Sequence, residues 1–274
     1  MAVPNVLLNN GVAIPQFGLG VFQIPPAQTV EAVRTALAAG YRHIDTAQMY
    51  GNEAEVGRAI AESGLPRDEV FVTTKLDNTR QGYDAAIAAL DDSLQRLALD
   101  HVDLFLIHWP RPAEDRYVET WQAFEKLASD GKTRAIGVSN FTDAHLERLT
   151  AETSTVPAVN QVELHPLLNQ PALRAYHREH GIATEAWAPI GQGGELLRDD
   201  RLVAIARQHG RTPAQVVLRW HIQLGNIVFP KSVTPSRIQE NIAVFDFALD
   251  AHDMSVISAL DTGTRLGPDP DRLV

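Results

Sequence analysis

Four side chains that can carry acid–base chemistry lie in or shortly after three successive apolar runs of the sequence. Asp45 lies in HIDTA, Lys75 near the end of VFVTTKL and His108 near the end of VDLFLIHW, while Tyr50 follows the first run after a short loop. A phenol has an ordinary pKa of about 10, too high for ready proton donation at neutral pH. A nearby ammonium group lowers that pKa, and a carboxylate keeps a buried ammonium group charged. We therefore expect Asp45 to keep the Lys75 ammonium group charged, and the charge of Lys75 to act on the pKa of Tyr50. Tyr50 would then protonate an oxygen atom that His108 orients.

Each of these side chains also has a structural interpretation. An Asp after a strand often caps a helix, a Tyr in a loop usually packs, and a Lys at a strand end is usually solvated. A lone His is more often structural than catalytic. The occurrence of all four at neighbouring strand ends favours the catalytic interpretation.

Eight short apolar runs alternate with helical patterns and predict the elements that position these side chains. The runs are GLGVF (18–22), HIDTA (43–47), VFVTTKL (70–76), VDLFLIHW (102–109), RAIGVSN (134–140), AVNQVEL (158–164), ATEAWAP (183–189) and IVFPKS (227–232). Near-continuous apolar runs are typical of parallel strands that are buried on both faces. We therefore expect an α/β fold, a (β/α)8 TIM barrel formed by residues 1–274 as a single domain. Active sites of this fold lie at the C-terminal ends of the strands.

Other segments add detail to the predicted barrel. Asn10-Gly11, between two short apolar runs, predicts an N-terminal β-hairpin. Residues 200–210 and 250–261 predict extra helices near the C-terminus. A doubly wound open sheet is the rival fold, but its glycine fingerprint is incomplete, since Gln23 stands where the third glycine should fall.

Composition narrows the class of function. The chain has 274 residues, a net charge of −10 and no cysteine. The negative charge argues against a nucleic-acid partner, and the lack of cysteine excludes disulfides, iron–sulfur clusters and thiolate zinc sites. The N-terminus has no signal-peptide pattern, and no apolar run approaches the ~18 residues of a membrane span. We therefore expect a cytoplasmic protein with no membrane partner.

Three segments resemble those of the aldo-keto reductase family. GYRHIDTAQMYGNE resembles the family's segment around its Asp and Tyr, LFLIHWP its His segment, and VFPKSVTPSRIQEN its cofactor segment. The similarity covers essentially the whole chain and is nearest to short bacterial members such as 2,5-diketo-D-gluconate reductases. It implies a (β/α)8 barrel, usually monomeric, that reduces aldehydes and ketones, here small carbonyl or dicarbonyl compounds, to alcohols with NADPH. It also implies a catalytic tetrad of Asp45, Tyr50, Lys75 and His108.

The last strand–helix unit predicts an anion site. Lys231 and Ser232 end the predicted eighth strand, Thr234-Pro235 open a helix whose N-terminus attracts anions, and Arg237 lies one turn inside. The alternative is a capped helix with surface charges. The resemblance implies that Lys231, Ser232 and Arg237 hold the adenosine 2′-phosphate. It implies further cofactor contacts from Val233 and, at the adenine amino edge, from Glu240 and Asn241.

The resemblance places the remaining cofactor contacts at other strand ends. Ser139, Asn140 and Gln161 would bind the nicotinamide carboxamide. Trp187 would stack on the nicotinamide ring, and core packing is its alternative role. The segment APIGQGGE (188–195) would form the loop over the pyrophosphate, where glycines permit close approach. Its contact residues would be Pro189, Ile190, Gly191 and Gln192.

The expected substrate pocket departs from the family pattern at Asp77. The pocket residues are Phe22, Met49, Asp77 and Trp109, and close relatives commonly have a tryptophan where KLDN places Asp77. A carboxylate at the pocket mouth would disfavour anionic substrates, and the alternative is that Asp77 points to water. The short, polar segment after Thr262 predicts one small pocket wall.

Two rival functions stay open at this point. One is a nicotinamide-cofactor-binding regulatory protein with little physiological turnover, and the other is a barrel lyase or isomerase without nicotinamide dependence. His177 and His180 of HREH lie on a predicted surface helix without a carboxylate partner pattern, so we expect no metal site.

Overall fold

The first element of the computed structural model, which describes residues 3–273, is the N-terminal hairpin. Strands β1 (Asn5–Leu7) and β2 (Ala13–Pro15) pair antiparallel. In the turn between them the Gly11 amide donates to the Leu8 carbonyl, and Gly11 has a φ of 84°. Glycine adopts this left-handed conformation without a steric penalty, which is why Asn10-Gly11 predicted the turn correctly.

Eight parallel strands form the barrel that the sequence predicts. They are β3 (Leu19–Gly20), β4 (His43–Asp45), β5 (Phe71–Leu76), β6 (Val102–Ile107), β7 (Thr133–Ser139), β8 (Val159–Glu163), β9 (Ala183–Trp187) and β10 (Ile227–Val228). Each strand pairs with the next one along the chain. A parallel bridge between Phe17 and Val228 joins the two ends of the sheet, so the (β/α)8 barrel is confirmed.

Helices follow the strands along the chain. They are α1 (Pro26–Ala38), α2 (Glu53–Ala61), α3 (Tyr83–Leu97), α4 (Tyr117–Ser129), α5 (Asp143–Glu152), α6 (Pro171–Glu179), α7 (Asp200–His209), α8 (Pro213–Gln223), α9 (Pro235–Ile242) and α10 (Ala251–Ser258). Helices α7 and α10 are the two extra helices that the sequence predicts. Within residues 3–273, none of the helices is both long and apolar enough to cross a bilayer.

The two-residue period of the strands divides their side chains between two cores. In β6, Leu104 and Leu106 share a core cluster with Leu8 and Ile14 of the hairpin region, whereas Phe105 belongs to the larger cluster with the helices. The first cluster fills the inside of the barrel and the second lies between barrel and helices. The hairpin therefore covers the N-terminal end of the barrel and leaves the opposite end for a site.

The eighth barrel strand is shorter than the sequence suggests. It ends at Val228, so Lys231 and Ser232 lie in the loop before α9 rather than in the strand. Pro230 has no backbone N–H to donate and cannot continue the pairing. The predicted extension of this strand to residue 232 is therefore wrong.

Candidate active site

Three of the four predicted tetrad side chains lie at the same end of neighbouring strands. Asp45 is the last residue of β4, Lys75 is the last but one of β5, and His108 follows β6 directly. Parallel strands end at one rim, so the three side chains meet there. Lys75 and Asp45 are buried, at 0% and 2% exposure, while His108 is partly exposed.

The fourth side chain, Tyr50, ends a short 3₁₀ turn, Gln48–Tyr50, that follows β4. The Gln48 amide nitrogen donates to the Ala89 carbonyl at 2.6 Å, and its oxygen accepts from the Asp77 amide at 2.7 Å. These bonds attach the turn to α3 and to the end of β5. Gly51 then ends the turn with a φ of 64°, a conformation rare for other residues.

Asn52 attaches the other side of the same turn. Its buried amide nitrogen donates to the carbonyls of Val21 and Ile24 at 3.0 and 3.2 Å, and its oxygen accepts from the Thr46 hydroxyl at 3.0 Å. The turn is therefore fixed on both sides, and these bonds add to the packing of the Tyr50 ring against Phe22 and His108.

All three hydrogens of the Lys75 ammonium group are used inside the site. Nζ donates to Asp45 Oδ1 at 2.7 Å, to the Thr46 carbonyl at 3.0 Å and to the Tyr50 hydroxyl at 3.3 Å. Since the Tyr50 oxygen accepts a bond from Lys75, its own hydrogen is free for another acceptor.

Burial and charge act against each other on this pair. Burial alone would lower the pKa of Lys75, but Asp45 and Tyr50 outweigh it and hold that pKa above its ordinary value. Burial raises the pKa of Tyr50, and Lys75 opposes the rise without cancelling it. Lys75 therefore acts on the Tyr50 pKa in the expected direction, and burial, which the sequence analysis did not include, is the larger effect. The phenol keeps its proton at neutral pH.

His108 lies edge-on to Tyr50, with ring centroids 5.8 Å apart. Burial, and then the charge of Lys75, lower the pKa of His108 to about 3, so the ring is neutral near pH 7. Its Nδ1 is buried without a hydrogen-bond partner among residues 3–273. A neutral imidazole offers one donor and one acceptor nitrogen, which suits the orientation of a carbonyl oxygen.

Asn140, Ser139 and Trp187 form a connected network beside the tetrad. Asn140 has a φ of 63°, and its amide nitrogen donates to the His108 carbonyl and the Ser139 hydroxyl, both at 3.0 Å. Its oxygen accepts from the Trp187 indole N–H at 2.7 Å. A partly exposed indole ring held by its N–H suits stacking against a flat aromatic ring such as nicotinamide.

Gln161 connects this network to the inside of the barrel. The Ser139 hydroxyl donates to its backbone carbonyl at 2.8 Å. Its side-chain nitrogen donates to Asp45 Oδ2 at 2.9 Å and to Glu185 Oε2 at 2.8 Å. Both amide hydrogens are thereby used, and the side-chain oxygen is left as the acceptor for a carboxamide.

The segment after β9 has the irregular backbone expected of an anion-binding loop. The φ values of Ala188, Gly191, Gln192 and Gly193 are 49°, 58°, 58° and 72°. Left-handed residues within turns arrange backbone N–H groups into concave anion sites. Pro189 is buried and Ile190 partly buried, so the loop is attached on one side and open on the other.

The start of α9 fits a phosphate group. Lys231, Val233 and Arg237 are exposed there and Ser232 is buried. Neither cation forms an ion pair in the part of the chain from residue 3 to 273, and the first turn of α9 has no acidic residue. Free cations at a helix N-terminus attract phosphate.

The two residues expected at the adenine edge are less exposed to solvent than Lys231 and Arg237. Glu240 accepts a hydrogen bond from the Thr212 hydroxyl at 2.8 Å and is partly exposed, and Asn241 is buried. A ligand would therefore share Glu240 with Thr212.

The expected pocket residues lie around Tyr50. Phe22 and Met49 are exposed, and the Phe22 ring centroid lies 5.0 Å from that of Tyr50. Trp109, next to His108, is 9% exposed. Exposed apolar side chains next to a buried polar cluster are typical of a ligand-binding mouth.

Asp77 caps its own turn. Its Oδ1 accepts from the Thr79 amide at 2.8 Å and the Thr79 hydroxyl at 2.7 Å, at the start of the 3₁₀ turn Asn78–Arg80. The carboxylate is partly exposed and keeps its second oxygen for solvent or a ligand.

The C-terminal tail, residues 262–273, is attached to the end of β8 by contacts that were not predicted from the sequence. The amides of Leu266 and Gly267 donate to the Glu163 carboxylate at the end of β8. Gly267 lies so close to Trp187 that a Cβ there would be 2.5 Å from Cη2 of the indole. An acidic residue near the end of a buried strand was the available signal.

A second missed residue is Glu185, which is fully buried on the inner face of β9. Its signal was a charged residue inside the apolar run ATEAWAP. The α6 helix lies at the surface as expected, and His180 is exposed. The His177 ring was not expected to be buried, but the helix packs it inward, 2.9 Å from both Asn160 Nδ2 and Thr184 Oγ1.

Known proteins resemble this chain along its whole length. The profile of the Aldo/keto reductase family matches residues 15–262. An aldo-keto reductase of Mycolicibacterium smegmatis is 59% identical over 97% of both chains. Morphine 6-dehydrogenase of Pseudomonas putida is 50% identical over 97% of this chain and 94% of its own. Methylglyoxal reductase DkgA of Yersinia pestis is also 50% identical, over 98% and 96%.

Solved structures agree with the fold and the barrel geometry. The crystal structure of a Gox0644 mutant in complex with NADPH superimposes with a TM-score of 0.96, at 47% identity and over 100% of both chains. With a matching family profile and relatives of this similarity, the chain belongs to the aldo-keto reductase family.

Proposed function

We propose that Asp45, Tyr50, Lys75 and His108 form the catalytic tetrad of this enzyme. The chain is an NADPH-dependent oxidoreductase that reduces aldehydes and ketones to alcohols. NADPH supplies a hydride to the carbonyl carbon when it is bound. Tyr50 gives its proton to the carbonyl oxygen, and His108 orients that oxygen by a hydrogen bond.

The hydrogen-bond pattern of Lys75 carries this proposal. Lys75 donates to the Tyr50 oxygen, so the phenol hydrogen is the one free to move to a substrate. As that proton leaves, negative charge develops on the phenol oxygen, and the adjacent ammonium group stabilises it. Asp45 keeps the ammonium group charged in a buried position.

The cofactor residues are proposed from the contacts at the strand ends. Trp187, held by Asn140, would provide the surface for the nicotinamide ring, and Ser139 and Gln161 would bind its carboxamide. The loop 188–195 would hold the pyrophosphate. Lys231, Ser232, Val233 and Arg237 would hold the adenosine 2′-phosphate, and Glu240 and Asn241 would bind the adenine.

Small neutral aldehydes and α-dicarbonyl compounds are the proposed substrates. Phe22, Met49 and Trp109 offer an apolar mouth. Asp77 is attached through its backbone amide to Gln48, in the turn that carries Tyr50, and its negative charge would act on a substrate entering there. Relatives of equal identity are named for methylglyoxal and for morphine, so identity alone does not select a substrate. The methylglyoxal reductase name and the charge of Asp77 support the small neutral class.

The setting of the enzyme is also proposed. We infer one barrel domain that works as a monomer in the cytoplasm without a nucleic-acid partner. A net charge of −10 and a cysteine-free composition support this inference.

The test replaces Tyr50 by Phe in the full chain. Turnover, followed as loss of nicotinamide absorbance with methylglyoxal and an aromatic aldehyde, should fall roughly 10²–10⁴-fold because general acid catalysis is lost. NADPH binding, measured by fluorescence titration, should change little. Tyr176→Phe, which removes a phenol from α6, is the matched control and should keep wild-type turnover.

Two results would contradict the proposal. Wild-type turnover in Tyr50→Phe would remove Tyr50 from the acid role. A wild-type protein that binds NADPH but reduces no carbonyl compound would favour the regulatory alternative.

A further inference from the structure

A carboxyl group inside the barrel is not used by the reaction described above. Glu185, on β9, is 0% exposed and lies directly across from Gln161 in the pairing of β8 with β9. Its Oε2 accepts the hydrogen bond from the Gln161 side chain at 2.8 Å. Its Oε1 is buried and has no hydrogen-bond partner among the described residues.

Glu185 is connected to Tyr50 through an unbroken line of hydrogen bonds. One Gln161 nitrogen donates to Glu185 and to Asp45, at 2.8 and 2.9 Å. Asp45 accepts from Lys75 at 2.7 Å, and Lys75 donates to Tyr50 at 3.3 Å. A change of charge at Glu185 therefore acts on Tyr50 through the Gln161 amide group and the side chains of Asp45 and Lys75.

The charges of this buried group balance only when Glu185 is neutral. Lys75 contributes one positive charge and Asp45 one negative charge, and both are buried. An ionised Glu185 would add a second negative charge with one oxygen unpaired, and a buried unpaired charge is strongly unfavourable. A protonated carboxyl tolerates that unpaired oxygen better.

We propose that Glu185 is a positioning residue that stays protonated while the enzyme reduces carbonyl compounds, and that its ionisation weakens Tyr50 as a proton donor. The inference rests on the proposed role of Tyr50. Glu185 contacts the neutral Gln161 of β8, and the charges of Asp45 on β4 and Lys75 on β5 act on it. Its pairing partner on β10 is the apolar Ile227. Burial, and then the charge of Asp45, raise the pKa of Glu185 to about 8, against the opposing effects of Gln161 and Lys75.

Ionisation of Glu185 has a defined effect on the reaction. The added negative charge disfavours the phenolate that Tyr50 becomes when it donates its proton, so the reduction step slows. The effect develops as the pH rises through about 8.

The kinetic test compares wild type with Glu185→Gln, which mimics the protonated carboxyl in shape and charge. If the ionised form is inactive, wild-type kcat for reduction at saturating NADPH should be roughly tenfold lower at pH 9 than at pH 7. In Glu185→Gln, kcat should fall less than about threefold between pH 7 and pH 9. Asp253→Asn, which alters a buried carboxylate on α10, is the control for a general loss of stability and should keep the wild-type profile. An unchanged profile in Glu185→Gln would overturn the proposal.

A spectroscopic test needs no turnover. The infrared carbonyl stretch of a protonated carboxyl, with ¹³C-labelled glutamate as the reporter, should be present in wild type at pH 7 and lost by pH 9. Glu185→Gln should lack it at pH 7. Absence of this band from wild type at pH 7 would overturn the protonation state itself. If wild type shows the band but reduces no carbonyl compound, the proposed function fails while the assignment of the proton stands.

Discussion

The ion pair between Lys75 and Asp45 should contribute far more to stability than any surface pair of the same residue types. The pair is 2.7 Å long, with side-chain exposures of 0% and 3%. At an effective dielectric constant of about 20, two charges at this distance attract by on the order of 6 kcal/mol. Removing one partner leaves the other charge buried alone, and such changes typically cost about 3–5 kcal/mol.

The experiment replaces Asp45 by Asn and compares it with Asp130→Asn. Asp130 pairs with Lys126 on the surface of α4, at exposures of 38% and 51%. An exposed pair four residues apart on a helix is worth about 0.3–0.5 kcal/mol. Glu185 can ionise in place of Asp45, so both substitutions are made in a Glu185→Gln background, where that substitute is removed.

Urea unfolding at 25 °C and pH 7, followed by circular dichroism, gives the two free-energy changes. We expect a loss of about 3–5 kcal/mol for Asp45→Asn and less than about 1 kcal/mol for Asp130→Asn. Added salt should shrink the small loss and leave the large one, because buried charges are screened little. A loss below about 1 kcal/mol for Asp45→Asn would refute the argument that Asp45 keeps a buried ammonium group charged.

Three other substitutions test the cofactor end, the pocket mouth and the buried carboxyl. Arg237→Gln should raise KM for NADPH roughly tenfold and leave KM for NADH nearly unchanged in initial-rate assays, since a hydrogen bond to a charged group is worth about 1.5–3 kcal/mol. Equal effects on both cofactors would remove Arg237 from the phosphate site. Asp77→Asn should improve kcat/KM for a carboxylated aldehyde several-fold at low salt, by about 1 kcal/mol of relieved repulsion, without changing a neutral one. A uniform response would show that Asp77 does not select by charge. Between pH 4.5 and about 8 the folded chain keeps the Glu185 proton, whereas the unfolded chain releases it. This group alone should therefore lower the free energy of unfolding by about 1.4 kcal/mol for each unit by which the pH rises. Glu185→Gln should remove that slope in urea titrations across pH, and identical slopes would show that the Glu185 pKa is not raised.

The barrel and the tetrad could be predicted because both follow from local patterns. Apolar runs separated by helical periods predict parallel strands, and the positions of Asp45, Lys75 and His108 at or near the ends of their runs predict that the side chains meet at one rim. The turn that carries Tyr50 follows from Gly51, which permits a left-handed backbone.

The features that the sequence analysis missed depend on contacts between distant segments. Glu163 binds amides more than 100 residues away in the chain, and no local pattern encodes that pairing. The direction in which the Tyr50 pKa shifts depends on how deeply the fold buries the ring, and the neighbouring charges alone do not determine it. The early end of β10 is the exception, because Pro230 is a local signal that could have predicted it.

The way in which the C-terminal tail binds Glu163 requires glycine at position 267 but no particular side chain at position 266. The bonds use the backbone N–H groups of Leu266 and Gly267, so they do not depend on the side chain at position 266. Leu266 is 42% exposed, whereas Gly267 has no room for a Cβ against Trp187. Natural or designed sequence variation at position 266 can therefore change the chemical character of the tail beside Trp187 while the tail stays docked. In an enzyme library, position 266 can be randomised with position 267 held as glycine.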